Sequence, residues 1–371
     1  MTQQSARQFA RPLGAQPAIE RSDRAVQLWL IAVAVLVFAM VVVGGATRLT
    51  DSGLSITEWK PLLGAIPPLT EADWIAAFEK YKQIPQYELL NHGMTLAEFE
   101  FIYWWEWSHR FLGRFIGVVF ALPLIYFWAT GRIRGDLVPK LVGLLGLGAL
   151  QGFIGWYMVQ SGLVDRIDVS HYRLALHLTT AFLILALLSW LIFDLSALGD
   201  ESRIRLRTVT AGQKWLAVVL GVLLLAQVVM GAFVAGTNAG LTYNTWPLMD
   251  GRLIPNGLGT LSPWFLNLAE NVTAIQFTHR ALAYVLLALA VYHAVRLSLS
   301  ADDERIIRSS RVFVLALIGQ AALGVWTLLD AGHIGKIPIW LGLTHQAGAA
   351  IVVVIFIWHL HGISRTGTAG R

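Results

Sequence analysis

Eight long apolar runs set the pattern of the chain: residues 26–46, 104–129, 138–159, 172–193, 213–236, 274–297, 310–330 and 338–361. A helix needs roughly 20 apolar residues to cross a bilayer, so each run is long enough to span. The pattern predicts an all-α polytopic membrane protein with eight transmembrane helices. The first run is too long for a removable signal peptide, and it continues into Gly44-Gly45-Ala46-Thr47-Arg48. The stretch 47–103 is too long for a plain turn. Within it, Thr70 to Asp73 and Thr95 to Glu98 each have the form of a capping box. The first predicts a short amphipathic helix near 70–83. The second predicts that span two starts outside the bilayer.

Composition strengthens this picture. Of 371 residues, 56% are hydrophobic and only 14% are charged, against roughly 25% charged in an average soluble domain. There is no cysteine, which excludes disulfides, iron–sulfur clusters, thiolate-ligated haem and cysteine-based zinc sites. Any metal must be held by histidine or carboxylate. The net charge is +5, but the basic residues sit between the apolar runs, a mark of membrane topology and not of nucleic-acid binding. Arg7, Arg11, Arg21 and Arg24 precede the first run. Arg132, Arg134, Lys140, Arg203, Arg205, Arg207, Lys214, Arg296, Arg305, Arg308 and Arg311 crowd alternate loops. By the positive-inside rule both termini face the cytoplasm, or the matrix in an organelle. Segments 47–103, 160–171, 237–273 and 331–337 then face outward.

The chain also repeats itself. Gly53-Leu54-Ser55-Ile56-Thr57-Glu58-Trp59 resembles Gly240-Leu241-Thr242-Tyr243-Asn244-Thr245-Trp246, and the following Pro61, Gly64 and Ile66-Pro67 match Pro247, Gly251 and Ile254-Pro255. Further on, Glu106-Trp107-Ser108-His109-Arg110 matches Gln276-Phe277-Thr278-His279-Arg280; Gln151 and Gly155 match Gln320 and Gly324; His177 matches His345. Order is kept, and the offset stays at about 170–190 residues. The expected organisation is a cytoplasmic tail over 1–25, an N-terminal four-helix half over 26–193, a cytoplasmic linker over 194–212, a C-terminal four-helix half over 213–361 and a tail over 362–371. Each half has an even number of spans, so the two pseudo-symmetric bundles should be related by an axis along the membrane normal.

Four of the ten histidines recur at matched positions: His109, His177, His279 and His345, on spans two, four, six and eight. All lie near the outer ends of their runs, at one depth some 10 Å below the surface by the helical rise of roughly 1.5 Å per residue. An intramembrane histidine can simply bond a neighbouring helix. Two duplicated pairs at one depth point instead to function. Two imidazoles facing across a bundle suit the axial positions of a haem iron, whereas zinc would want further ligands that do not recur. His92, His171 and His333 fall in outer loops, and His293, His359 and His361 toward the inner ends; these six are expected to be solvated or interfacial. Arg110 and Arg280 follow two of the ligands, where a guanidinium can pair with haem propionates or snorkel to headgroups. The tryptophans, 15 in all, suit an aromatic belt. The halves differ where Glu106 faces its counterpart Gln276. A carboxyl one turn before His109 can shuttle protons and an amide cannot, which reads as one reactive site and one electron-transfer site.

The Glu106–Arg110 motif, the segment Gly236–Pro255 and the His279/His345 pair resemble haem A synthases, and most closely the type shared by mitochondria and alphaproteobacteria. The resemblance runs from about 26 to 361, and the outer-loop segment is its most specific part. It implies oxidation of the C8 methyl of haem O to a formyl, through two hydroxylations and loss of water, to give haem A for terminal oxidases. It implies a haem b cofactor on His279 and His345, the haem O substrate between His109 and His177, and Glu106 as the catalytic carboxylate. Arg48, Arg110 and Arg280 become candidate propionate partners. Some bacterial relatives carry a cysteine pair in the first outer loop, which this chain lacks, so its electron donor stays open. Expected partners are the bilayer, a haem O synthase and that donor, with homo-oligomerisation left open. The expected location is a bacterial inner membrane, because 1–24 is short for a transit peptide. Two rivals remain at this stage: a di-haem electron-transfer cytochrome without bond chemistry, and a transporter built from parallel repeats.

Overall fold

A computed structural model describes residues 16–60, 63–164, 166–196 and 208–368. Arg7, Arg11, Pro61, Arg203, Arg205 and Arg207, and most of the linker, lie outside the described residues. The eight spanning helices are α1 (Gln16–Leu49), α4 (Leu96–Ala129), α5 (Val138–Gln160), α6 (His171–Ser196), α7 (Ala211–Gly236), α9 (Val272–Ser300), α10 (Glu304–Ile334) and α11 (Ile339–Ser364). Three shorter helices, α2 (Glu71–Tyr81), α3 (Pro85–Leu90) and α8 (Asn267–Glu270), lie in the outer segments. All eight long helices carry windows apolar enough to cross a membrane. Their apolar residues point outward as well as inward: Leu122 and Val222 are each 62% exposed. A helix apolar all round belongs in lipid, and the chain is a multi-pass membrane protein.

Both capping boxes form. Thr70 accepts from the Asp73 amide and Thr95 from the Glu98 amide, with each acid returning to its cap backbone. The second box starts α4 eight residues before the apolar run expected from 104, so the helix of span two begins well ahead of that run. Phe78, Tyr81 and Phe99 stack in a small outer core that seats α2 on this extension. The short helix α3 was not legible from periodicity, being under two turns long. A second tertiary feature is a parallel pairing of Thr208–Val209 with Gly367–Thr368, which brings the end of the linker against the C-terminal segment.

The helices pack as two closed rings. In one, α1 touches α4 and α6, and α5 touches α4 and α6. In the other, α7 touches α9 and α11, and α10 touches α9 and α11. The rings meet where α6 packs on α7 and where α11 packs on α1 and α6. One continuous apolar core, including Leu30, Leu188, Leu220, Leu286 and Phe356, fills the half of both rings away from the four recurring histidines.

Four of the histidines set aside on sequence grounds are buried, which corrects their expected solvation. His293 and His359 are 1% and 0% exposed, and their Nε2 atoms hydrogen-bond each other at 3.0 Å. His359 Nδ1 is bonded to the Ser309 hydroxyl. His361 bonds Asp194, and His171 opens α6 against α7, next to Gly236. In each case a partner helix covers the ring. Position along a run does not disclose such a cover. His92 and His333 are exposed.

Candidate functional site

The four recurring histidines each follow one construction. Each projects from an even-numbered span and rests on a glycine of the span before it. An added Cβ on Gly44 of α1 would lie 3.2 Å from His109 Nε2; on Gly155 of α5, 3.0 Å from His177 Cε1. On Gly231 of α7 it would lie 3.2 Å from His279 Cε1, and on Gly324 of α10, 2.9 Å from His345 Cε1. Any side chain at these positions would fill the place of the imidazole. The glycine notches are what let adjacent helices close up around a ring.

His109 and His177 face each other with ring centroids 6.4 Å apart and planes at 67°. Metal–imidazole bonds of about 2.0–2.1 Å on either side of one ion would place two such rings roughly 6 Å apart. The pair therefore fits the two axial positions of an iron porphyrin. His177 Nδ1 is buried without a partner, as befits a ring awaiting one.

Three of the four rings have a glutamine amide beside them, and His109 does not. The Gln320 side-chain amide donates to the His345 carbonyl at 2.8 Å. The Gln227 and Gln320 amide nitrogens approach Nδ1 of His279 and His345, at 3.2 Å each. The Gln227 amide nitrogen also stands 3.4 Å from His279 Nε2, so it lies beside the ring edge between the two nitrogens. In the first ring of helices, the Gln151 amide donates to the His177 carbonyl at 2.9 Å and stands 3.5 Å from His177 Nε2. His109 has no hydrogen-bond partner among the described residues.

Glu106 is buried, one turn outward of His109, and its Oε1 accepts a 2.6 Å hydrogen bond from Arg110 Nε. Arg110 also donates to the carbonyls of Ile56 at 2.7 Å and Glu58 at 3.0 Å. Arg280 makes the matching contacts, to Tyr243 O at 2.8 Å and Thr245 O at 3.0 Å. Both arginines therefore clamp the repeated outer segments onto the bundle ends. With five N–H donors each, they keep further donors for an anionic group. Gln276, the counterpart of Glu106, donates to Tyr243 O at 3.0 Å and accepts from Tyr243 N at 3.1 Å. The amide thus satisfies itself on the loop, whereas the carboxylate meets a guanidinium. Arg48 at the end of α1 reaches Asp51 at 3.2 Å, Asp168 at 3.8 Å and the Ala235 carbonyl of α7 at 3.4 Å, bridging the two helix rings. Outside the spans, Lys80 and Lys60 both bond Glu58 and hold its carboxyl below the ordinary carboxylate value.

The glycines were the residues that sequence reasoning missed as site components. Gly155 and Gly324 recur in register with Gln151 and Gln320, and the same Gln-x-x-x-Gly spacing stands at Gln227 and Gly231. That spacing was the available signal.

Comparison with known proteins agrees with this geometry. The chain is 49% identical over 353 residues to a protein of Parvibaculum lavamentivorans named Heme A synthase, covering 94% of this chain and 98% of the relative. Proteins of the same name from Brucella ovis and Brucella abortus are each 48% identical over 340 residues, covering 92% of both chains. The family model described as Cytochrome oxidase assembly protein (COX15-CtaA) matches residues 27–357. With so much of its length matched, and with the facing imidazoles and buried Glu106 inside the matched region, the chain belongs to the COX15-CtaA family of cytochrome oxidase assembly proteins.

Proposed function

We propose that this protein is a haem A synthase, an oxidoreductase that converts the C8 methyl of haem O to a formyl group. Relatives of that name match it over nearly its whole length. The observation that carries the assignment of the two sites is that one imidazole, His109, lacks the glutamine that stands beside the other three. His279 and His345 each have a glutamine amide beside the ring, as suits a resident cofactor. His109 is tied to nothing, as suits a molecule that enters and leaves.

On this reading the two helix rings are the duplicated halves, 26–193 for substrate and 213–361 for cofactor. His279 and His345 hold haem b, and His109 and His177 bind haem O. Bound haem b supplies one-electron chemistry. The protein orients the substrate between two imidazoles, closes the outer face with the clamped segments Gly53–Pro67 and Gly240–Pro255, and moves protons at Glu106 Oε1. The remaining donors of Arg110 and Arg280, with Arg48 at the seam, are placed to meet propionates. The membrane is a bacterial inner membrane with both termini cytoplasmic, in keeping with the Lys/Arg loops. Haem O synthase supplies the substrate, and a separate donor or acceptor exchanges electrons with the cofactor.

The test is pigment extraction from cells lacking a native haem A synthase, with and without this gene, resolved by chromatography. Haem A should appear only with the gene. A purified protein that carries haem while its host accumulates only haem O would leave the electron-transfer cytochrome as the reading, and a protein without a haem absorption band would leave the transporter.

A further inference from the structure

One of the four histidine sites departs from the common construction. Four residues before the backing glycine stands Gln151 on α5, Gln227 on α7 and Gln320 on α10; each amide nitrogen stands beside the imidazole it serves, at 3.5, 3.2 and 3.2 Å, and those of Gln151 and Gln320 also donate to the carbonyl of that histidine at 2.9 and 2.8 Å. On α1 the same position, four before Gly44, is Met40. A second departure accompanies the first. Four residues after His177, His279 and His345 come Ala181, Ala283 and Ala349, but after His109 comes Gly113. A Cβ on Gly113 would lie 3.0 Å from the Met40 Cε. The longer thioether therefore occupies the room that a missing methyl leaves, and Met40 with Gly113 replaces the glutamine–alanine pair of the other three sites.

The exchange changes what the ring can be held by. A glutamine amide donates and accepts; a thioether has no proton to donate and is a weak acceptor. Partners of the ring that bind no metal themselves fix its tautomer and orientation, and their loss typically weakens metal binding 10–100-fold. We propose that Met40 makes His109 the more labile of the two ligands of the substrate site, so that release of the porphyrin begins with the His109 bond and the His177 bond breaks second. This rests on the reading that His109 and His177 take haem O. Met40 is a positioning residue here: it acts through the His109 ring. The opened position lies on the helix that carries Glu106, so release and proton chemistry share one side. His279 and His345, each with a glutamine beside it, keep their ligand as a resident cofactor requires, and the His177 bond is the second of the two substrate-site bonds to break on release.

The experiment measures release, not turnover. Purified wild-type protein carrying its resident haem is loaded with haem O, and loss of the second haem to excess apomyoglobin is followed by absorbance. Met40→Gln should slow that release about tenfold and sharpen the low-spin bis-imidazole spectrum of the loaded site. Met40→Leu, which keeps the site apolar, should release at the wild-type rate. Met40→Gln with Gly113→Ala restores the full pattern and should release no faster than Met40→Gln. The reciprocal variant Gln227→Met should lose the resident haem about tenfold faster. It reads the same principle at the other site should the α1 variants fail to fold. Folded Met40→Gln releasing haem O at the wild-type rate, or Gln227→Met retaining its haem unchanged, overturns the proposal. Wild-type protein that takes up no second haem overturns the substrate-site reading beneath it, an outcome the variants cannot mimic.

Discussion

Replacing Glu106 with glutamine separates its charge from its place in the fold. In the native protein its carboxylate meets Arg110 Nε at 2.6 Å, with the two side chains only 4% and 12% exposed. A hydrogen bond to an ionised group contributes about 1.5–3 kcal/mol and a neutral one about 0.5–1.5. Glutamine keeps an acceptor for the still-charged Arg110, so the hydrogen bond to an ionised group survives and only the attraction between the two charges is lost, about 1–2 kcal/mol of stability. Arg110 also retains Ile56 O and Glu58 O, and Gln276 shows that an amide is accommodated at the matched position. Glu106→Ala removes the acceptor altogether and leaves a mostly buried guanidinium short of a partner, which should cost about 3–5 kcal/mol. Catalysis should respond in a different proportion. A positioned acid–base group contributes about 10²–10⁴-fold, so Glu106→Gln should reduce haem A formation at least about 100-fold while the protein remains folded and haem-bound. The assay pairs chromatography of extracted haems with thermal unfolding of the purified variants in detergent. Accumulated haem O, or its hydroxylated form, is the expected signature. Normal haem A in cells expressing Glu106→Gln at the wild-type level would remove the carboxylate from the chemistry. Equal unfolding of the glutamine and alanine variants would refute the ion-pair reasoning.

His279→Ala or His345→Ala should each lower the haem content of purified protein, whereas His109→Ala should spare it; equal haem in all three would reverse the assignment of the resident site. Gly324→Ala places a methyl 2.9 Å from the His345 ring and should weaken haem retention about tenfold by displacing a ligand, measured by transfer to apomyoglobin. Retention unchanged would mean the notch is not needed. The depressed Glu58 carboxyl stabilises the clamped outer segment above the ordinary carboxylate range. That contribution fades as pH falls through its lowered value. Limited proteolysis of 53–67 should therefore rise at acid pH in wild-type protein and be less pH-dependent in Glu58→Gln; identical pH profiles would deny Glu58 this role.

The positions of the spans were legible because the bilayer dictates them. Each expected apolar run lies within a spanning helix, or begins at most one residue before it, because lipid demands apolar side chains and internally satisfied backbone over a fixed length. Helix starts were legible where a cap speaks locally, as at Thr70 and Thr95. The four histidines could be picked out because two positions recur, His109 as His279 and His177 as His345, and Glu106 because the repeat breaks there. All of these signals are short in sequence range.

Contacts made across helices were not legible, because the rotation of one helix against another leaves no period in the chain. Sequence put His293 and His359 at exposed ends; packing of α9, α10 and α11 buries them in a mutual hydrogen bond with Ser309. Sequence offered Arg110 and Arg280 as partners for a bound anion. The tertiary structure also uses them to clamp Ile56, Glu58, Tyr243 and Thr245. Gly44, Gly155, Gly231 and Gly324 read as ordinary small residues of apolar helices until a neighbouring imidazole is seen to fill the missing side chain. Lipid sets what a span is made of and where it begins. Which face meets which ring depends on close packing between helices, and that packing decided which imidazoles are held and which one is free.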